Sequence, residues 1–257
     1  MREGKRRPRK KEMENIRIQV MEIGFDDVTL DEAVSIAMQY IERGEKCRVV
    51  TPNPEIARMC RNDSLLCDIV NSSQLVLPDG IGVVYASRIL GHPLRGRVPG
   101  FEFAEKLLER MQNTGYSVFF FGAKPGVAEK AAEKMQKKYP GLLIAGTLNG
   151  YYTNEGQVVA AINDARPDVL FVCLGAPKQE QFMALRGEAL NVTLMAGLGG
   201  TLDGLAGEVK RAPDFFIRLN LEWLDRLLCQ PKRIGRVIKL PLYLLSAFAA
   251  RGKSKNA

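Results

Sequence analysis

Histidine is almost missing from this sequence: His92 is the only one among 257 residues. That scarcity argues against a Ser-His-Asp triad or a Cys-His dyad, and it leaves no histidine cluster for zinc. Acid-base chemistry then falls mainly to carboxylates. The five cysteines (Cys47, Cys60, Cys67, Cys173 and Cys229) form no C-x-x-C pair and are odd in number. The opening MREGKRRPRKK lacks the apolar core of a signal peptide. These features point to a reduced, cytoplasmic protein. A Walker A motif is missing, and so is a G-x-G-x-x-G at a first βα turn with an acid at the ribose-binding distance. P-loop and ordinary dinucleotide readings therefore fall away, and no cofactor or metal is expected. What remains is 46% hydrophobic and 26% charged, an ordinary globular composition for one large domain with or without an appendage.

The net charge of +8 is unevenly spread. Residues 1–11 hold seven basic residues against one acidic, and residues 210–257 hold eleven against three; the stretch between them carries 19 basic and 25 acidic. An acidic body with two basic ends calls for an anionic partner, whether nucleic acid, a phosphorylated ligand or an acidic membrane surface. For residues 1–14 a solubilising, disordered tail is the simpler expectation. Nucleic acid is not expected, because neither end shows aromatic-interleaved basic strands or a groove-reading motif.

In the C-terminal end, residues 210–257, charges alternate with bulky apolar side chains. Phe216, Leu219, Trp223 and Leu227 recur at helical spacing, while Arg218, Glu222 and Arg226 stand four apart on another face. Pro231 breaks this helix, and Arg233, Arg236 and Lys239 lead into LPLYLLSAFAA. That apolar stretch is about half the ~20 residues a membrane span needs. A basic amphipathic appendage with Trp223, Leu227, Leu240 and Tyr243 suits the membrane interface instead. Packing on the core, or on a second copy in a homo-oligomer, is the competing expectation.

Between residues 15 and 209 short apolar runs alternate with helix-like segments. Strands are predicted at Ile16–Ile23, Arg48–Thr51, Gln74–Leu77, Ser117–Phe121, Leu142–Thr147, Val169–Leu174 and Val192–Ala196. Helices are predicted at Leu30–Arg43, Phe101–Gln112, Val127–Lys138 and Glu155–Ala165. β-branched, two-sided apolar strands alternating with helices predict an α/β fold with a Rossmann-like, mostly parallel sheet. The first strand, followed by FDDVT, also reads as an edge hairpin.

In such a sheet ligands sit beyond the carboxyl ends of the strands, and four loops fall there. In Thr51-Pro52-Asn53-Pro54-Glu55, helix capping accounts for Asn53 and Pro54, but not for Thr51, whose hydroxyl is expected to face the crevice. In Leu77-Pro78-Asp79-Gly80, Asp79 is either a cap for the next helix or a carboxylate held at the mouth of the sheet, where a general base belongs. In Gly175-Ala176-Pro177-Lys178-Gln179-Glu180, backbone N–H groups at a helix start favour anions, and Gln179 has the chemistry to bond a sugar or base. In Gly197-Leu198-Gly199-Gly200-Thr201-Leu202-Asp203, glycines permit close approach of a ligand. A fifth loop, Gly91–Gly100, frames Arg95 and Arg97 with glycines and prolines, as either a phosphate-gripping lid or a plain surface loop.

T-x-N-x-E, L-P-D-G-x-G, G-x-P-x-Q-E and G-G-x-x-D, taken together and in this order, resemble the WecG/TagA/CpsF family of bacterial glycosyltransferases, most closely its TagA-like branch. The resemblance covers about residues 15–240, nearly all of the chain, and makes residues 15–209 the catalytic domain. It implies inverting transfer from a UDP-sugar donor to lipid-diphosphate-linked N-acetylglucosamine. In the TagA-like branch the sugar is N-acetylmannosamine, the acceptor is undecaprenyl-diphosphate-linked, and the product is the linkage unit of wall teichoic acid. Other branches imply N-acetylmannosamine uronic acid or glucose, in capsule, exopolysaccharide or common-antigen synthesis.

The resemblance places the base at Asp79 with Thr51 beside it, and Arg97 and Gln179 in the same pocket. Asn53, Gly175, Gly199, Gly200 and Asp203 complete the expected substrate-binding set. The appendage arginines fall on Arg226, Arg233 and Arg236, as groups that stabilise the departing diphosphate. With no D-x-D motif to hold a divalent ion, arginines are the natural substitute. A lipid-linked acceptor also gives the basic appendage a reason to touch the inner face of the cytoplasmic membrane, peripherally and without a transmembrane helix.

Overall fold

A computed structural model describes residues 16–209, 213, 215–216 and 239–254. Six parallel strands form the central sheet, in the order β4-β3-β8-β7-β5-β6. They are β3 (Cys47–Val50), β4 (Leu75–Val76), β5 (Ser117–Gly122), β6 (Leu143–Leu148), β7 (Val169–Cys173) and β8 (Leu194–Gly197). Helices cover both faces, as the sequence pattern implied. The central strand β7, VLFVC, is buried at every residue, which is how a two-sided apolar strand reads when neither face meets water.

Alternation along the strands sorts side chains between two cores. Val118 and Phe120 of β5, with Val169 and Phe171 of β7, join α1 (Leu30–Arg43), α5 (Gly100–Met111), α6 (Val127–Lys138) and α9 (Thr201–Leu205) on one face. Phe119 and Phe121, with Leu170 and Val172, join α2 (Pro54–Asn62), α3 (Ser64–Asn71), α4 (Ile81–Leu90), α7 (Glu155–Ala165) and α8 (Lys178–Arg186) on the other. Phe120 stacks on Phe171 at 5.6 Å, and Phe121 meets Phe182 of α8 at 5.1 Å. Each such fully buried side chain contributes about 1.5–3 kcal/mol relative to exposure. Gly122, at the end of β5 with φ +132°, lies so close to β7 that a Cβ there would stand 2.2 Å from the Cys173 carbonyl, so only glycine fits.

Helix boundaries follow from local chemistry. Thr29 and Glu32 form a reciprocal capping box at the start of α1, and Gly44 ends that helix in the left-handed conformation. Asp63 caps α3, accepting from the Leu66 N–H at 3.0 Å.

The first predicted strand is not part of the sheet. It divides at Met21 into β1 (Arg17–Val20) and β2 (Ile23–Asp26), an antiparallel hairpin of its own, which decides for the hairpin reading. Asp26, 1% exposed, holds this hairpin against the edge strand β4. It accepts from the Val76 N–H at 2.7 Å and pairs with Arg17 at 3.2 Å, and Arg17 also donates to the Asn71, Ser73 and Gln74 carbonyls.

The C-terminal helix, Lys239–Ser254, corrects one expectation. The amphipathic pattern puts Tyr243 at a membrane interface, but it is 5% exposed and packs with Ala247 into the core that contains α2 and α4. The hydrophobic effect fills that position from the protein side. Leu242, Leu245 and Phe248 of the same helix are 46%, 63% and 56% exposed. Trp223 and Leu227 lie outside the described residues, and the Leu240 side chain is not described. No helix among the described residues is long and apolar enough to cross a membrane.

Replacing Asp26 with alanine should cost about 2–4 kcal/mol, because it strands the Val76 N–H and removes the counter-charge of Arg17. Urea denaturation measures this. A loss below about 0.5 kcal/mol would mean that the pair does not anchor the hairpin.

Candidate active site

The four loops singled out in the sequence follow β4, β3, β8 and β7, which are neighbours in the sheet. Parallel strands place their carboxyl ends on one edge, so the loops gather there. Thr51 directly follows β3. Its side chain is 5% exposed, and its hydroxyl donates to the Gly197 carbonyl at the end of β8, at 3.0 Å. The hydroxyl expected to face the crevice thus ties one crevice loop to the next. Asn53 caps α2: its Oδ1 accepts from the Glu55 and Ile56 N–H groups at 2.9 and 3.1 Å.

Asp79 lies on the turn after β4 and is half-buried. Its N–H donates to the Pro52 carbonyl at 3.2 Å, drawing the β4 and β3 loops together. The following helix α4 has Gly80 at its N-cap, with φ +97° and no side-chain cap. Capping of α4 therefore does not account for Asp79, which removes the simpler of the two readings of this residue.

The basic loop Gly91–Gly100 is stitched into the body rather than built as a lid. Leu94 and Val98 are buried, the Leu94 N–H donates to Ser87 Oγ at 3.0 Å, and the Val98 N–H donates to the Pro78 carbonyl at 2.8 Å. Arg95 pairs with Asp27 at 3.4 Å and with Glu32 at 2.7 Å, on the side of α1. Arg97 is half-buried and immediately precedes Val98, so the Val98–Pro78 bond brings it beside the Asp79 turn.

After β7 comes Gly175, in the left-handed conformation at φ +77°, then the cis Ala176–Pro177 bond and α8. Gln179 is 2% exposed. Its Oε1 accepts from the Gly199 N–H at 2.9 Å, and its Nε2 donates to Glu180 Oε1 at 2.9 Å. The amide expected to bond a sugar or base is engaged in bracing the glycine turn after β8. In that turn Gly199 is half-buried at φ +57° and Gly200 is exposed. A Cβ on Gly200 would sit 3.7 Å from Asp203 Oδ2, so the Asp203 carboxylate stands over the turn.

Thr51, Asn53, Asp79, Arg97, Gly175, Gln179, Gly199, Gly200 and Asp203 are therefore brought to one edge. Arg226, Arg233 and Arg236 lie outside the described residues. His92 is exposed and borders a cleft of about 430 Å³ with Leu90, Gly91 and Arg251, at the far end of α4 from Asp79. Cys173, at the end of β7, is buried, and burial pushes its thiol up to about 12, so it supplies no thiolate near neutral pH. Among the described residues no three His, Cys, Asp or Glu side chains group as metal ligands. Glu180 lies on this edge as well, with Asp79 and Asp203. Burial pushes its carboxyl up, against the Gln179 hydrogen bond.

A half-buried carboxylate thus lies between glycine turns on the carboxyl edge of a parallel sheet, the edge where α/β domains bind ligands. The lineage is specific: the chain belongs to the glycosyl transferase WecG/TagA/CpsF family, whose model matches residues 18–257. It is similar to the N-acetylglucosaminyldiphosphoundecaprenol N-acetyl-beta-D-mannosaminyltransferase of Bacillus spizizenii, 36% identical over 226 residues, covering 88% of each chain. The enzyme of that name from Bacillus subtilis is 37% identical over 84% of this chain and 85% of its own. The Staphylococcus aureus enzyme is 33% identical over 94% of this chain and 96% of its own.

Thr51→Val keeps the shape of the side chain but leaves the Gly197 carbonyl without its donor. It should lower stability by about 1–2 kcal/mol in urea denaturation; an unchanged midpoint would show that the hydroxyl does not carry the tie.

Proposed function

We propose that this protein transfers N-acetylmannosamine from UDP-N-acetylmannosamine to undecaprenyl-diphosphate-linked N-acetylglucosamine, with inversion and without a divalent metal. The observation that carries this reading is the similarity over most of the chain to transferases whose names state that sugar and that acceptor, joined to a carboxylate at the crevice that helix capping does not explain. In the reaction the acceptor hydroxyl oxygen bonds to the anomeric carbon while the carbon–oxygen bond to the diphosphate breaks. UDP departs with that electron pair, and Asp79 takes the hydroxyl proton.

Arg97, beside the Asp79 turn, and Arg226, Arg233 and Arg236 of the appendage supply positive charge to the diphosphate as it leaves. Gly175, Gly199, Gly200 and Asp203 cradle the donor, over a floor held by Thr51, Asn53 and Gln179. Membrane contact belongs to the outer face of the C-terminal helix, where Leu242, Leu245 and Phe248 are exposed. Basic residues nearby in the sequence, Arg236, Lys239, Arg251 and Lys253, each add roughly 1 kcal/mol against an anionic inner leaflet.

Asp79→Asn retains size and polarity but cannot accept the proton. Transfer onto a lipid-diphosphate N-acetylglucosamine acceptor should fall ~10²-fold or more with folding intact, and wild-type turnover should persist in excess EDTA. Near-normal turnover in the variant removes Asp79 as base, and magnesium-restorable loss in EDTA removes the metal-free reading. A UDP-sugar panel in the same assay identifies the donor.

The appendage is tested in two parts. Leu242, Leu245 and Phe248 changed together to glutamate should abolish sedimentation with anionic liposomes while preserving activity on a soluble acceptor analogue. Reversing the charges of Arg226, Arg233 and Arg236 should abolish that activity. Full activity after the reversal would leave the appendage without a catalytic part.

A further inference from the structure

Glu180 is the most buried acid of the site edge, 1% exposed, and no step above uses it. Its Oε1 accepts from Gln179 Nε2 at 2.9 Å, whereas its Oε2 is buried with no hydrogen-bond partner among the described residues. A buried carboxyl with one idle oxygen is costly, so the bond it does make requires a reason. That bond fixes one end of a side-chain amide whose other end, Gln179 Oε1, accepts from the Gly199 N–H at 2.9 Å. An amide turned the other way would set its NH2 against the Gly199 N–H, donor to donor, and its oxygen against the Glu180 carboxyl. Glu180 at one end and Gly199 at the other thus agree on a single orientation.

The turn so held is short and glycine-rich, with Gly199 at φ +57° and Gly200 exposed. Among the described residues Thr51 Oγ1 donates to the Gly197 carbonyl at 3.0 Å, the Leu198 N–H to the Val172 carbonyl at 3.0 Å and Thr201 Oγ1 to the Leu198 carbonyl at 2.7 Å, so Gln179 holds the Gly199 end of the turn. The packing leaves little slack: a Cβ on Gly197 would lie 3.2 Å from Gln179 Nε2.

We infer that Glu180 is a positioning residue: acting through Gln179, it holds the Gly197–Gly200 turn in the geometry that receives the donor. The inference rests on the proposed function for the identity of the donor, but not for the link between Glu180, Gln179 and Gly199. Without the tie the turn leaves its bound geometry for part of the time, and the donor must select the competent fraction. The signature is therefore a raised KM for the UDP-sugar with kcat nearly unchanged.

The test combines amide hydrogen exchange at Gly199, read by NMR on the full chain, with steady-state transfer. Glu180→Met fills the space without an acceptor. Gly199 exchange should quicken ~10-fold and the donor KM should rise ~5-fold or more, with kcat within ~2-fold of wild type. Glu180→Gln keeps an acceptor for Gln179 and should restore both readouts to near wild type. Wild-type exchange at Gly199 in a folded Glu180→Met protein overturns the proposal. So does a fall in kcat at constant KM, which would make Glu180 a group acting on the reaction itself. Should Glu180→Met fail to fold, Gln179→Met reads the same link from its other end, and unchanged Gly199 exchange there overturns it equally. If wild-type protein transfers no sugar from any UDP-sugar, the proposed function fails, while the exchange measurement still decides the link.

Discussion

The uniform direction of the six strands is the constraint from which the rest of the molecule follows. Parallel neighbours need crossovers, crossovers place helices on both faces, and both faces then become interior. The same direction sets every carboxyl end on one edge, so residues as distant in the chain as Thr51 and Gly197 stand a hydrogen bond apart. The edge is therefore one assembly of loops, joined by the bonds of Asp79 to Pro52, Val98 to Pro78 and Gln179 to Gly199.

Within that assembly the polar residues divide their work. Thr51 and Gln179 are buried and tie their loops to the turn after β8, while the buried Glu180 holds the other end of the Gln179 amide. Asp79, Arg97 and Asp203, on the same edge, are half-buried. A half-buried carboxylate on that edge gains from such a floor, since the placement of a side chain depends on the shell that supports it.

Much of this was readable in the sequence, for identifiable reasons. Val169–Leu174 announced itself as a strand because two-sided burial makes a continuous apolar run, and the structure gives Val169–Cys173. Leu30–Arg43 was exact as a helix because Thr29, Glu32 and Gly44 mark its ends. The resemblance named residues that the sheet gathers on one edge, Thr51, Asp79 and Gln179 among them, but not what their atoms do there. Gln179 reads as a substrate ligand because a glutamine after a strand has that chemistry, whereas its bond to Gly199, twenty residues on, is a tertiary contact that no local pattern reveals. Arg95 and Arg97 looked alike until Asp27 and Glu32, about 65 residues earlier in the chain, claimed Arg95. Tyr243 belonged by pattern to an amphipathic helix, whose sequence gives a period but not which side meets the protein.

The hairpin at the start of the described chain also has a consequence at high concentration. A two-residue edge strand such as β4 ordinarily offers its outward backbone groups to any passing strand. Here the outward N–H of Val76 is taken by a buried carboxylate, and Arg17 covers the neighbouring Ser73 and Gln74 carbonyls. A foreign strand seeking to extend the sheet on this side would have to displace a buried carboxylate and its half-exposed arginine before forming its first bond. Aggregation by strand addition is thereby blocked at this margin by charge rather than by bulk.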